Sequence, residues 1–310
     1  LNIDTLVFGS ESNDLTKLEI IKLEDNCIID ILSKYCEVEK TPDHSVIGFL
    51  KGKSDYTIML DAHIDQVGFV VTNVDDNGFL TVAAAGGIDI RALPSRPVTV
   101  HGKEKITAIF CATPPHLSSG EKEYTNIAEI KLDTALGEKA KEIVSVGDYV
   151  TFATKPFELN ENLVCGRSFD DRAGAVCLIL LAQRLSKAEL PVNVAFAFSN
   201  AEELGCRGAR TSTFKVNPNE AIAIDVTFGD GPDISGDESS KLGSGAAIGI
   251  SPALDKAVSQ KLIAIAKEND IYLEILKKDK INYMFRSLTG IAIAPIFFIQ
   301  IVENWAIANF

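Results

Sequence analysis

The chain has 310 residues, 46% of them hydrophobic and 24% charged, enough apolar material for a large packed core and too much for wholesale disorder. Acidic residues outnumber basic ones 43 to 30, a formal net charge of −13, which argues against a broad phosphate-binding surface and so against nucleic acid as a partner. The six cysteines lie far apart with no C-x-x-C pair, mostly inside apolar runs, and read as reduced core thiols rather than a disulfide framework.

In chain order, Leu18, Ile21, Leu23, Ile28, Ile29 and Leu32 recur at helical spacing after Asn13-Asp14, which predicts an amphipathic helix over residues 15–35. No basic and then apolar leader opens the chain, so a cytoplasmic location is expected. Residues 45–50 and 56–60 read as strands, the second running straight into Asp61-Ala62-His63-Ile64-Asp65. From about 67 to 159 the texture changes to short apolar or alternating runs (69–72, 79–83, 98–101, 106–112, 127–132, 149–152) broken by Gly, Pro and Asp turns, the pattern of a small β-barrel-like unit.

Beyond Gly166 strand and helix alternate: a helix over 174–188, strands over 192–198 and 221–226, a helix over 252–268 and a strand over 271–276. That alternation predicts an α/β fold with a mostly parallel sheet and flanking helices, built from residues 1–66 and 160–310 and interrupted by the β-rich insertion 67–159. The apolar stretch 291–302 contains Pro295 and falls well short of the roughly 20 residues that cross a bilayer, so it predicts one or two buried strands and no membrane partner.

The chemistry-bearing residues sit next to these elements. His63 and Asp65 follow the strand over 57–60, Asp170 and Asp171 precede a helix, Glu202 and Glu203 follow the strand over 192–198, and Asp225 ends the next strand. Carboxyl ends of strands line the ligand crevice of an open α/β sheet, so these groups are expected to converge. One neutral imidazole with several carboxylates suits zinc, cobalt or manganese. Singly, each has a structural explanation: a hydrogen-bonded histidine, a helix cap for Asp170-Asp171, a solvated loop for the glutamates, a turn residue for Asp225. Four such groups at one sheet edge are hard to attribute to accident.

The stretches LDAHIDQVGFVV (60–71), GGIDIRALPSRPVTV (86–100), TPPHL (113–117), VGDYVTF (146–152), GRSFDDRAGA (166–175), NAEELGCRGA (200–209) and AIDVT (223–227) together resemble, in order and spacing, the tetrahedral (TET-type) aminopeptidases of metallopeptidase family forty-two, which include glutamyl and deblocking aminopeptidases. The resemblance covers residues 1 to roughly 276. It implies that His63 and Asp225 bind a first metal with Asp65 orienting the imidazole, that Asp170 bridges two ions, and that Glu203 binds the second. Glu202 is then the general base acting on a metal-bound water. Zinc or cobalt, two per subunit, are the implied cofactors and peptides the substrates. The insertion is implied to serve dimerisation on the way to a hollow homo-dodecamer. Adjacent glutamates are expected to take distinct roles because successive side chains of an extended segment point opposite ways.

From about Lys277 the chain departs from the family pattern. Neither the R-Y-M-H-[ST] segment nor the preceding G-T-[DN]-[AS] stretch is present, and the four histidines end at His116. A frameshift or altered carboxyl terminus would produce this. The second site keeps Asp170 and Glu203 alone and is expected to bind roughly tenfold more weakly or worse. The alternative to an active aminopeptidase is thus a catalytically silent assembly or binding subunit. A glycosidase, which needs two carboxylates flanking a sugar bond, leaves His63 and Asp225 unexplained.

Overall fold

A computed structural model describes residues 25–112, 116, 126–159, 163–229, 240, 245–252, 254–277 and 296–303. The strands in chain order are β1 (Glu37–Lys40), β2 (Val46–Leu50), β3 (Thr57–His63), β4 (Gly68–Val74), β5 (Leu80–Ala85), β6 (Pro97–His101), β7 (Lys105–Phe110), β8 (Leu132–Asp133), β9 (Tyr149–Phe152), β10 (Phe157–Leu159), β11 (Leu163–Cys165), β12 (Asn193–Ser199), β13 (Glu220–Phe228), β14 (Ala246–Ile250), β15 (Leu273–Lys277) and β16 (Ile296–Glu303). The helices that matter here are α1 (Asp25–Leu32), α2 (Phe169–Leu185), α3 (Arg207–Val216) and α4 (Lys256–Glu268). Two compact units result, one from the chain up to Asp65 with that from Pro156 on, the other Gln66–Lys155.

The first unit is built on an eight-stranded sheet in the order β1-β2-β12-β3-β13-β16-β14-β15. The pairs β12–β3, β3–β13, β13–β16 and β14–β15 are parallel, whereas β1–β2, β2–β12 and β16–β14 are antiparallel. The parallel strands hold the centre; β1 and β2 are joined by too short a connection for anything but a hairpin. Every residue of β12 is buried. Its Val194, Phe196 and Phe198 face Ile28 and Leu32 of α1 and Val176 and Ile179 of α2, while Ala195 and Ala197 face Ala209 of α3 and Leu254. Burial on both faces is why this stretch reads as an unbroken apolar run, and the alanines let α3 lie close to the sheet.

Several elements differ from their sequence expectations. Within the described residues the first helix stops at Leu32, because Lys34 and Tyr35 tighten into i→i−3 bonds to Ile31 and Leu32; residues 15–24 lie outside the described residues. The helix expected from 252 starts at Lys256, where the Asp255 carboxylate accepts from Val258 N at 2.9 Å. The run 127–132 is not one strand: the Asn126 side chain caps a 3₁₀ turn over Ile127–Glu129 before β8 begins. β1, β14 and α3 were not anticipated. Within the apolar 291–302 stretch, β16 pairs in parallel with β13, Gln300 opposite Asp225.

The second unit is a closed barrel, β4-β5-β8-β7-β6-β9. Inward residues Phe69, Leu80, Val98, Val100, Phe110 and Val150 fill it, with the Phe69 and Phe110 rings edge to face at 5.0 Å.

Candidate metal centre

Parallel strands β12, β3 and β13 run side by side, Ser199 opposite His63 and Ala223 opposite Asp61. Alternation along β3 then puts Asp61 and His63 on one face, and two residues past Ala223 on β13 comes Asp225. His63 is the last residue of its strand rather than following it, and Asp225 lies inside β13, which continues to Phe228. Asp170 stands at the start of α2, where Asp170 and Asp171 depart from helical φ/ψ, so the regular helix begins only beyond them.

These residues come together. His63 is buried; its Nε2 is 2.7 Å from Asp170 Oδ1 and 3.9 Å from Asp225 Oδ1. One ligand atom each from His63, Asp170 and Asp225 falls within 4.8 Å of the others, and the same holds for His63, Glu202 and Glu203. His63 Nδ1 is 3.5 Å from Asp65 Oδ1, an ion-pair separation rather than a short hydrogen bond. Asp65 also accepts from the amides of Glu202 (2.9 Å) and Glu203 (3.2 Å), tying the end of β3 to the glutamate pair.

The pair does not sit in an extended segment, contrary to the sequence expectation. Residues 202–205 form a turn in which Glu202 O accepts from the amides of Gly205 and Cys206 at 2.8 and 2.9 Å. This turn brings both carboxylates to His63, with one oxygen of each within 4.8 Å of the other. On its upstream side Asn200 is anchored: its amide donates to Ser45 Oγ at 3.0 Å and its Nδ2 to Asp43 O at 2.8 Å. Gly208 must be glycine here, since a Cβ would come within 2.3 Å of Asn200 O.

Electrostatics indicate what the cluster is suited to hold. Burial, then the charge of Asp170, lifts Asp225 well above the ordinary carboxylate range; burial, then the charge of Asp225, does the same to Asp171. Glu203 is pushed up to about 8 by burial and Asp170. Burial by itself lowers the imidazole of His63, but the hydrogen bond to Asp170, the adjacent Asp65 carboxylate and the other nearby carboxylate charges hold it well above its ordinary value. Without a metal, protons must keep such carboxylates together; a divalent cation replaces them, and one imidazole with several carboxylate oxygens is a fitting donor set.

Sequence reasoning overlooked Asp61, which is fully buried beneath the cluster. Its Oδ2 accepts from Ser199 Oγ, its Oδ1 has no hydrogen-bond partner, and burial raises it to about 7. An aspartate two residues before His63 in a strand was a legible signal, because alternation puts both on one face. Cys206, whose thiol reaches Glu202, carried no such signal.

An α/β sheet whose parallel strands end on a buried histidine–carboxylate cluster is an arrangement suited to a metal-dependent enzyme. The M42 glutamyl aminopeptidase profile matches residues 44–281. Lysyl aminopeptidase of Pyrococcus furiosus is 27% identical over 274 residues, 86% of this chain and 78% of that protein. The crystal structure of a TET aminopeptidase from a marine-sediment Thaumarchaeota archaeon superposes with a TM-score of 0.86 at 25% identity, covering 92% of this chain and 86% of its own. The Pyrococcus horikoshii TET1 peptidase, which can assemble into a tetrahedron or a large octahedral shell, gives 0.80 at 28% identity over 90% of this chain and 84% of its own. The chain belongs to the M42 family of metal-dependent aminopeptidases.

Proposed function

We propose that the protein removes amino-terminal residues from peptides with the help of zinc or cobalt. The observation that carries this is the approach of His63, Asp170 and Asp225 to within 4.8 Å around a common point. His63 and Asp225 would hold one cation, Asp170 would bridge it to a second, and Glu203 would complete the second. When bound, the cations polarise the scissile carbonyl and bring the pKa of water toward neutrality. Glu202 takes a proton from the attacking water and returns it to the departing amine. Asp65 keeps the imidazole and the glutamate turn in one arrangement through its contacts to His63 and to the two amides. A homo-oligomer, built through the barrel unit, completes the reading, and its oligomeric part is supported by the tetrahedral and octahedral assembly of the Pyrococcus horikoshii relative; a cytoplasmic setting goes with it.

One observation favours a second reading, a catalytically silent assembly subunit: the sequence holds no histidine after His116, so the second cation is left with Asp170 and Glu203. Turnover of aminoacyl chromogenic substrates after chelation and readdition of zinc or cobalt decides between them. Cation-dependent hydrolysis abolished by Glu202→Gln supports the peptidase; none at any cation concentration supports the silent subunit.

A further inference from the structure

We propose that Cys206 is a positioning residue for the Glu202 carboxylate. The inference rests on the reading of Glu202 as general base and goes beyond it, because it names what holds that side chain. The Cys206 thiol donates to Glu202 Oε1 at 3.2 Å, and its backbone amide donates to Glu202 O at 2.9 Å, so the two residues close a ring through both main chain and side chain. The backbone makes this possible: Gly205 and Cys206 both take positive φ, 103° and 56°, and fold the chain back on the glutamate just before α3 starts. Cys206 is fully buried, and on its other side it packs against Met59, Ala195, Ala197 and Ala209. An aliphatic side chain would satisfy that apolar floor equally well. What the sulfur adds is a donor aimed at one carboxylate oxygen, in surroundings too dry for water to substitute freely. The ring holds Glu202 in one orientation beside the cluster, where one oxygen of it and one of Glu203 both lie within 4.8 Å of the His63 ring.

Two measurements on the full chain test this. The first is independent of activity: the infrared S–H stretching band of Cys206, isolated as the difference between wild type and Cys206→Ala. It is expected at lower frequency than an unbonded thiol and moves upward in Glu202→Gln, whose neutral oxygen is the weaker acceptor. A band indifferent to Glu202→Gln overturns the proposal. The second is kinetic, with cobalt or zinc saturating: Cys206→Ala lowers kcat about tenfold with KM and bound metal unchanged, and Cys206→Ser restores it. Equal losses in Cys206→Ala and Cys206→Ser, or no loss in either, overturn it, since both mark a role in packing alone. A wild-type chain without peptidase activity but with the shifted band refutes the peptidase reading and leaves the thiol–carboxylate positioning supported.

Discussion

At the scale of single residues, His63 is the pivot. One imidazole faces Asp170 and Asp225 through Nε2 and Asp65 through Nδ1, and Asp65 in turn grips the glutamate turn by two amides. Loss of proton transfer and loss of ligation therefore separate cleanly. Glu202→Gln is expected to lower kcat by about 100- to 10,000-fold while the metal content, read by elemental analysis, stays at the wild-type level. His63→Ala is expected to reduce cation affinity by about ten- to a hundredfold, measured by titration calorimetry. The H-x-D and D-D-R spacings were readable because short motifs survive in the chain as written. The approach of Cys206 to Glu202 was not, since it depends on two positive-φ residues that no hydrophobic period announces.

Among the elements, connections decide more than interiors. The loop 41–45 meets the start of α3 through Asp43, whose carboxylate accepts from the hydroxyls of Thr41 and Thr211 and from Ser45 N. Burial alone raises Asp43, but these hydrogen bonds outweigh it and hold the group below the ordinary carboxylate value. With the folded pKa below the unfolded one, its contribution is present above the unfolded value near pH 4 and lost as pH falls through the folded value. Asp43→Asn is expected to flatten that acid limb of a Tm-against-pH curve without altering the neutral plateau's shape. At α4 the cap is simpler: Asp255→Ala is expected to cost about 1 kcal/mol in urea unfolding of the unit that contains it. The sequence located α2, β12 and β13 well, because each carries buried apolar residues in a run long enough to register. It missed α3, whose buried positions are Gly208, Ala209, Ser212 and Thr213, residues too small and polar to register as an apolar stripe.

For the whole molecule, two compact units and a cluster assembled from residues 63 to 225 set the remaining expectation. Purified chain is expected to retain one tightly held ion, on His63, Asp170 and Asp225, and to lose a second to a weak chelator; two tightly retained ions per chain overturn the expectation of a weakened second site. Analytical ultracentrifugation with and without cation reports whether the proposed homo-oligomer forms and whether it depends on filling that site.

The amino-acid order by itself determined the alternation of strand and helix, the change of texture in the inserted barrel, and the residue types able to bind a cation, because periodicity, turn chemistry and motif spacing are local properties. Even β16, in a tail that departs from the family motifs, has the apolar and β-branched composition of a strand, and it is held between β13 and β14. Only the tertiary structure decided that His63 meets Asp170 and Asp225 on one side and Glu202 and Glu203 on the other, that Asp65 ties the end of β3 to the glutamate pair, and that this pair sits in a turn rather than an extended segment. Those outcomes depend on strand register and on contacts across more than a hundred residues, which pairing across the sheet creates and no neighbour in sequence can specify.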